Sequence, residues 1–251
     1  MLALGLALAL AIGPAGGATA AKNRRVALEH HRAGEAFLQS EQFEEAAEQF
    51  GRAIALDPLL VVAHYNLGYA SMLLRRYPDA VRGYEGCADA IDRLNRVGAQ
   101  EQEALERARL DELHELQDSL TAVRTGKIKN MAVGPTVLRY EERIRVLEQL
   151  RFNDRGQMQT PAEVYLGLGS AYFRQSLLVD AERSYAKAVR VNDRLGAAHN
   201  NLAVIFMLTG RYPQAHAAIR SAEKAGFAVD SRFKADLQAR EERAKLTTGR
   251  P

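Results

Sequence analysis

Small and large side chains recur at a spacing of 34 residues in two stretches of this chain, and that period restricts the possible folds more than any other feature. Gly34 and Gly68 stand one period apart, as do Ala46 and Ala80, and Phe50 and Tyr84. A second tandem pair aligns Leu168 with Leu202, Tyr172 with Phe206, Ala181 with Ala215 and Ala188 with Ala222. A unit of this length is two helices and a turn. It cannot bury its apolar face alone, so neighbouring units stack into a solenoid. Such a chain is expected to hold other molecules rather than to transform them.

Repeat one runs from Ala27 to Leu60. Its first helix carries Leu28, Ala33, Gly34 and Phe37, and a turn follows at Ser40-Glu41-Gln42. Its second helix carries Phe43, Ala46, Ala47, Phe50, Ala53 and Ile54 and stops at Asp57-Pro58, because proline cannot continue a helix. Repeat two, Val61 to Leu94, opens with His64-Tyr65-Asn66-Leu67-Gly68 and turns near Arg75-Arg76. No proline closes it, so its second helix is expected to run on to about Val97. Repeats three and four occupy Ala162–Leu195 and Gly196–Val229.

These residues resemble the tetratricopeptide repeat, whose pattern is a large residue, Leu-Gly and an aromatic in the first helix, then Ala, an aromatic, Ala and a closing Pro. Repeat one matches at Gly34, Phe37, Ala46, Phe50, Ala53 and Pro58, with His30 in place of Trp. Repeat two matches at Leu67, Gly68, Ala80 and Tyr84 and departs at Ser71. Repeat three matches at Tyr165, Leu168, Gly169, Tyr172, Ala181, Tyr185 and Ala188. Repeat four matches at Leu202, Phe206, Ala215 and Ala222, with Ala203 for Gly and Ile219 for the aromatic. The resemblance implies an all-α solenoid of helical hairpins and a non-catalytic, protein-binding role. The small residues have a physical reason: a bulky side chain at the Leu-Gly step or at the Ala positions would push packed helices apart.

Residues 95–161 break the pattern. Gln100 to Thr125 contains no breaker, and Leu113, Leu116, Leu120 and Val123 recur in steps of three and four; Val137 to Phe152 carries Val137, Ile144, Leu147 and Leu150. Gly126 to Pro135 is a loop candidate. Two degenerate repeats do not fit here, since Gln102, His114 and Asp118 would fill their signature positions. A long helical hairpin fits, packed on the flanking repeats or, coiled-coil-like, on a second copy of the chain. After repeat four, Phe233 and Leu237 mark one face of a capping helix over 231–245. The expected division is therefore a leader at 1–20, repeats at 27–94, the hairpin insert at 95–161, repeats at 162–229 and the cap.

The leader rests on Leu2 to Ile12, an unbroken apolar run followed by Gly13-Pro14 and an Ala18-Thr19-Ala20 cleavage pattern, although no basic residue precedes it. Export to a periplasm or the exterior is expected, with cleavage before Ala21. The alternative is a membrane anchor over residues 2–21, the only segment able to span a bilayer. Net charge is +3, with 14 basic and 9 acidic side chains in residues 161–251; the acids are interspersed, so no nucleic-acid face is read from them. Cys87 is the only cysteine, which excludes an intramolecular disulfide, and it falls where the repeat wants a small buried residue.

No phosphate loop, nucleophile elbow or zinc helix is present, so no catalytic residue, metal site or cofactor is assigned. His30, His64 and His199 share one repeat position, where a flat semi-polar ring would fill the hairpin interior. The functional surface is instead expected on the concave side, lined by each repeat's first helix. In the first pair it comprises His31, Glu35, Tyr65, Asn66, Tyr69 and Met72; in the second, Leu166, Ser170, Phe173, Asn200, Asn201 and Val204. Aromatic and Met groups beside Asn amides suit a bound peptide or helix. The family's carboxylate clamp is not expected: Asn66 fits it, but His31, Glu35, Leu166 and Ser170 replace the required Lys, Asn and Arg. The sequence thus points to a protein-binding scaffold in a bacterial envelope assembly, or alternatively to a homo-oligomer joined through the central hairpin.

Overall fold

The computed structural model describes residues 14–248 apart from 97, 128–132 and 154–155. Residues 1–13 of the expected leader lie outside that range. Among the described residues the first hairpin is α1 (Pro14–Gln39) with α2 (Phe43–Leu56), and the second is α3 (Val61–Leu73) with α4 (Tyr77–Leu94). A long hairpin of α5 (Ala99–Arg124) and α6 (Val133–Gln149) follows. The second pair is α7 (Ala162–Arg174) with α8 (Leu178–Val191), then α9 (Gly196–Leu208) with α10 (Tyr212–Lys224). Finally α11 (Ser231–Thr248) lays Leu237, fully buried, and Phe233 on the last hairpin.

Several boundaries differ from the sequence expectation. The first helix is already formed at Pro14, ahead of the repeat start at Ala27, and runs through the Ala18-Thr19-Ala20 pattern. The fourth ends at Leu94, and Val97 is outside the described residues. The sixth spans Val133–Gln149 rather than Val137–Phe152, so Pro135 lies inside it rather than in the preceding loop.

Each repeat turns the same way. Glu41, Arg75, Ser176 and Gly210 occupy equivalent places between the paired helices, with φ of 60°, 58°, 61° and 72°. The left-handed conformation costs about 1–2 kcal/mol at the three non-glycine positions. It is offset by one recurring bond that satisfies a helix-end carbonyl: Gln42 N–H to Phe37 O, Arg76 to Ser71, Leu177 to Tyr172 and Arg211 to Phe206, at 2.8–3.0 Å.

Inside each hairpin the signature glycine faces the signature aromatic. A Cβ on Gly34, Gly68 or Gly169 would stand 2.7, 2.9 or 2.6 Å from a ring carbon of Phe50, Tyr84 or Tyr185. Repeat four departs at both positions together: Ala203 supplies the extra methyl and Ile219, buried in the same cluster, replaces the ring. The two changes therefore compensate. Gly169→Ala is expected to cost about 1–2 kcal/mol, the clash outweighing the helix-propensity gain of alanine. In a Tyr185→Ile background the cost should shrink, giving a coupling of about 1 kcal/mol in a urea double-mutant cycle. Strict additivity would contradict the pairing.

The insertion does not interrupt the stack. Gly167 of α7 is seated on the Tyr84 ring of α4, so the two pairs are consecutive in space. Asn95, at the end of α4, holds the returning chain from both sides: its amide donates to Met158 O (3.0 Å) and its carbonyl accepts from Met158 N–H (2.6 Å). The excursion thus leaves and re-enters at one point. Its stripe of Leu116, Leu120, Val123, Val146, Leu147 and Leu150 shares one core with Val61, Val62, Tyr65, Tyr84 and Val164 of the repeats. The hairpin is part of the fold, not an appendage to it.

Candidate functional site

The inner face of the first pair is covered by the chain itself. Along α6 and the residue after it, Thr136, Tyr140, Arg143, Leu147 and Leu150 form a buried row at helical spacing. Tyr140 accepts a hydrogen bond from the Gln39 amide of α1 (2.6 Å), and Arg109 of α5 donates to Leu147 O (3.0 Å). Tyr140 and Arg143 stand over Glu35, Leu38, Gln39, Tyr65, Asn66 and Tyr69. Of the expected first-pair residues, His31 (1% exposed), Tyr65 (6%) and Asn66 (5%) are buried. Glu35, Tyr69 and Met72 keep partial exposure. An outside ligand reaches the buried His31, Tyr65 and Asn66 only by displacing α6.

Arg143 is the centre of this contact. Its guanidinium pairs with the carboxylates of Glu35 and Glu112 and lies 3.0 Å from His31 Nε2, while the Asn66 amide is 3.2 Å from the same nitrogen. His31, Glu35 and Glu112 have one ligand atom each within 4.8 Å of one another, a spacing that suits a metal ion. The guanidinium reaches into that same cluster, so a cation is already supplied by the chain. Burial, and then the charge of Glu115, push the Glu112 carboxyl up to about 8, and burial pushes Arg143 down to about 9; contact between the two groups opposes both shifts.

His31 is held well below its usual value, first by burial and then by the charges of Arg143 and Arg32. These outweigh Glu35 at 3.8 Å, so the ring stays neutral. A depressed histidine contributes its stability above the unfolded value of about 6.5 and loses it as pH falls below that value. His31→Gln is therefore expected to remove one proton's worth of pH dependence, about 1.4 kcal/mol per unit, below pH ~6.5. Urea unfolding of both proteins across that range measures it. Parallel curves would contradict the assignment.

The second pair presents the equivalent face without such a cover. Repeat register places Leu166 where repeat one has His31, Ser170 for Glu35, Phe173 for Leu38 and Arg174 for Gln39. Asn200, Asn201 and Val204 correspond to Tyr65, Asn66 and Tyr69. Leu166, Ser170, Phe173, Asn200, Asn201 and Val204 all keep partial exposure, and Arg174 is exposed. Leu166 and Phe173 rest on the second core; Ser170 accepts from Tyr185 Oη (3.2 Å), and Asn201 bonds the same phenol. The structure thus separates the expected surface into a first half partly covered by α6 and a second half that no helix of the chain covers in this way. Arg143, Tyr140, Gln39 and Arg174 are the contributors that sequence reasoning missed.

The remaining candidates are structural. His64 Nε2 bonds Pro58 O (3.1 Å) and His199 Nε2 bonds Asp193 O (2.8 Å), the same tie from ring to preceding loop in two repeats, while His30 bonds Gln49 (2.7 Å). Cys87 is fully buried, and burial pushes its thiol far up, so it is inert. Among the described residues no helix is long and apolar enough to cross a membrane.

A TPR-repeat family profile matches residues 34–74, and a tetratricopeptide-repeat profile matches residues 166–228. These stretches fall in the two hairpin pairs. No curated protein matches the sequence. Among solved structures, the chain is similar to PilF of Pseudomonas aeruginosa at 15% identity and a TM-score of 0.34, covering 92% of this chain and 95% of that one. It is also similar to PilW, a widely conserved type IV pilus biogenesis factor, at 12% identity and a TM-score of 0.37, covering 89% and 93%. A thermophilic TPR protein of Thermus thermophilus shares 17% identity at a TM-score of 0.33, over 88% and 99%. At these scores no property of those proteins carries over to this chain.

Proposed function

The chain is a tetratricopeptide-repeat protein, and from that premise we propose that it binds a partner protein on the inner face of its second hairpin pair. Tetratricopeptide-repeat proteins are interaction scaffolds and typically not enzymes. One observation carries the choice of face: His31, Tyr65 and Asn66 are buried beside α6 in the first pair, whereas their equivalents Leu166, Asn200 and Asn201 keep partial exposure in the second. Leu166, Phe173 and Val204 offer apolar contact beside the Asn200 and Asn201 amides, the combination that anchors a peptide or helix. The hairpin's apolar stripe is spent on its own chain, which favours this reading over assembly of copies through the hairpin.

Asn200→Ala combined with Val204→Glu should weaken partner binding about thirtyfold, the loss of roughly 2 kcal/mol that central interface residues carry. Val179→Asp, on an exposed residue of α8, should leave it unchanged. Circular dichroism and thermal melting confirm that both variants stay folded. Equal loss in both, or in neither, overturns the assignment of the face.

The setting proposed is a bacterial envelope, reached through the Leu2–Ile12 apolar run. N-terminal sequencing of the chain recovered from a bacterial periplasm is expected to begin at Ala21. An intact N-terminus in the membrane fraction supports the anchored alternative, and recovery from the cytosol overturns both.

A further inference from the structure

The first pair shows how a helix lies on this solenoid, because α6 is such a helix. Its side chains enter at Tyr140, Arg143 and Leu147, the i, i+3, i+7 rhythm of a helix in a groove. Tyr140 meets Gln39, and Arg143 meets His31, Glu35 and, through His31, Asn66. The second face can be read against this contact residue by residue.

Two substitutions change its chemistry. Arg174, exposed and in no ion pair among the described residues, replaces Gln39 at the Tyr140 contact. Leu166 and Ser170 replace His31 and Glu35 at the Arg143 contact, so the polar groups there, Ser170, Asn201 and the Tyr185 phenol, carry no charge. An arginine placed here would be desolvated without a carboxylate, whereas an aliphatic or amide side chain fits. Arg174 favours an acidic group on the ligand at the position of Tyr140.

We propose that the inner face of the second pair receives an acidic amphipathic helix of another protein. It lies as α6 lies on the first pair, with a carboxylate toward Arg174 and an uncharged side chain between Leu166, Ser170 and Asn201. This rests on the reading of that face as the binding surface and adds what binds there. A second copy of the chain docking through its own α6 is disfavoured, since Arg143 would meet Leu166.

The test uses the full chain and two labelled peptides. One is the chain's own 133–150 segment; the other carries Tyr140→Glu and Arg143→Leu. Fluorescence anisotropy is expected to show saturable binding of the substituted peptide and at least about tenfold weaker binding of the native one. Arg174→Glu in the protein should weaken the substituted peptide by at least about tenfold, and raising salt should weaken it further. Equal affinities, or no response to Arg174→Glu, overturns the proposal. Failure of both peptides to bind also overturns it, and leaves the groove itself to the partner-binding test with Asn200 and Val204. Concentration-dependent self-association removed by Val204→Glu would assign the face to a second copy instead.

Discussion

Arg143→Ala is expected to lower the unfolding free energy by about 3 kcal/mol, the low end of the range for removing one partner from a buried ion pair. The penalty comes less from the lost contacts than from what stays behind: Glu35 and Glu112, 19% and 18% exposed, left facing each other, and His31 without the guanidinium beside it. The low end applies because a cavity of about 260 Å³ beside them, lined also by Arg32, Asp111 and Glu115, lets water reach both carboxylates. Combining Arg143→Met with Glu35→Gln and Glu112→Gln should recover most of the loss, since a neutral set of similar volume carries no stranded charge. Urea denaturation of the single and triple variants separates these outcomes. A single variant within 0.5 kcal/mol of the parent (~0.5 being the scatter of ordinary surface substitutions) would remove Arg143 from the centre of the contact.

Excision of the long hairpin should have a larger effect. Joining Ala90 to Ala162 through a copy of the Asp57-Pro58-Leu59-Leu60 turn would restore an unbroken run of four repeats, since α7 already packs on α4. In a chain whose hairpin were a removable lid, this shortened protein would fold as well as the parent. Here it would strip Leu116, Leu120, Val123, Val146, Leu147 and Leu150 from a shared core and expose Val61, Val62 and Tyr65. At about 1.5–3 kcal/mol for each large apolar side chain, the loss is on the order of 10 kcal/mol, comparable with the whole stability of a domain. The expected product self-associates or unfolds without a cooperative transition. A monomer with the parent's urea midpoint would show the hairpin to be dispensable.

The repeat register was legible because it is a packing constraint. Gly34, Gly68 and Gly169 recur because an aromatic ring leaves no room for a Cβ, and the same geometry explains why Ala203 and Ile219 depart together. The hairpin's identity was legible too, from Leu116, Leu120 and Val123. Its destination was not, because a stripe says that a helix must be covered and not by what. One trace was present: Arg143 falls in phase with Tyr140, Leu147 and Leu150, and a charged residue on a buried stripe needs partners elsewhere. Those partners, on α1 and α5, are 112 and 31 residues away, beyond any local pattern. The inner-face residues were gathered by repeat register, but the division into a filled and an open half arises from that long-range contact.

The most direct test places a photo-crosslinking amino acid, p-benzoylphenylalanine, at Tyr69 or at Val204 in otherwise unchanged protein. Tyr69 shares a cleft with Tyr140 and Arg143, so it is expected to crosslink within the chain, to residues 136–150, with or without partner. Val204 is expected to crosslink to the partner and to no part of α6. Partner captured from Tyr69, with none from Val204, would contradict the account.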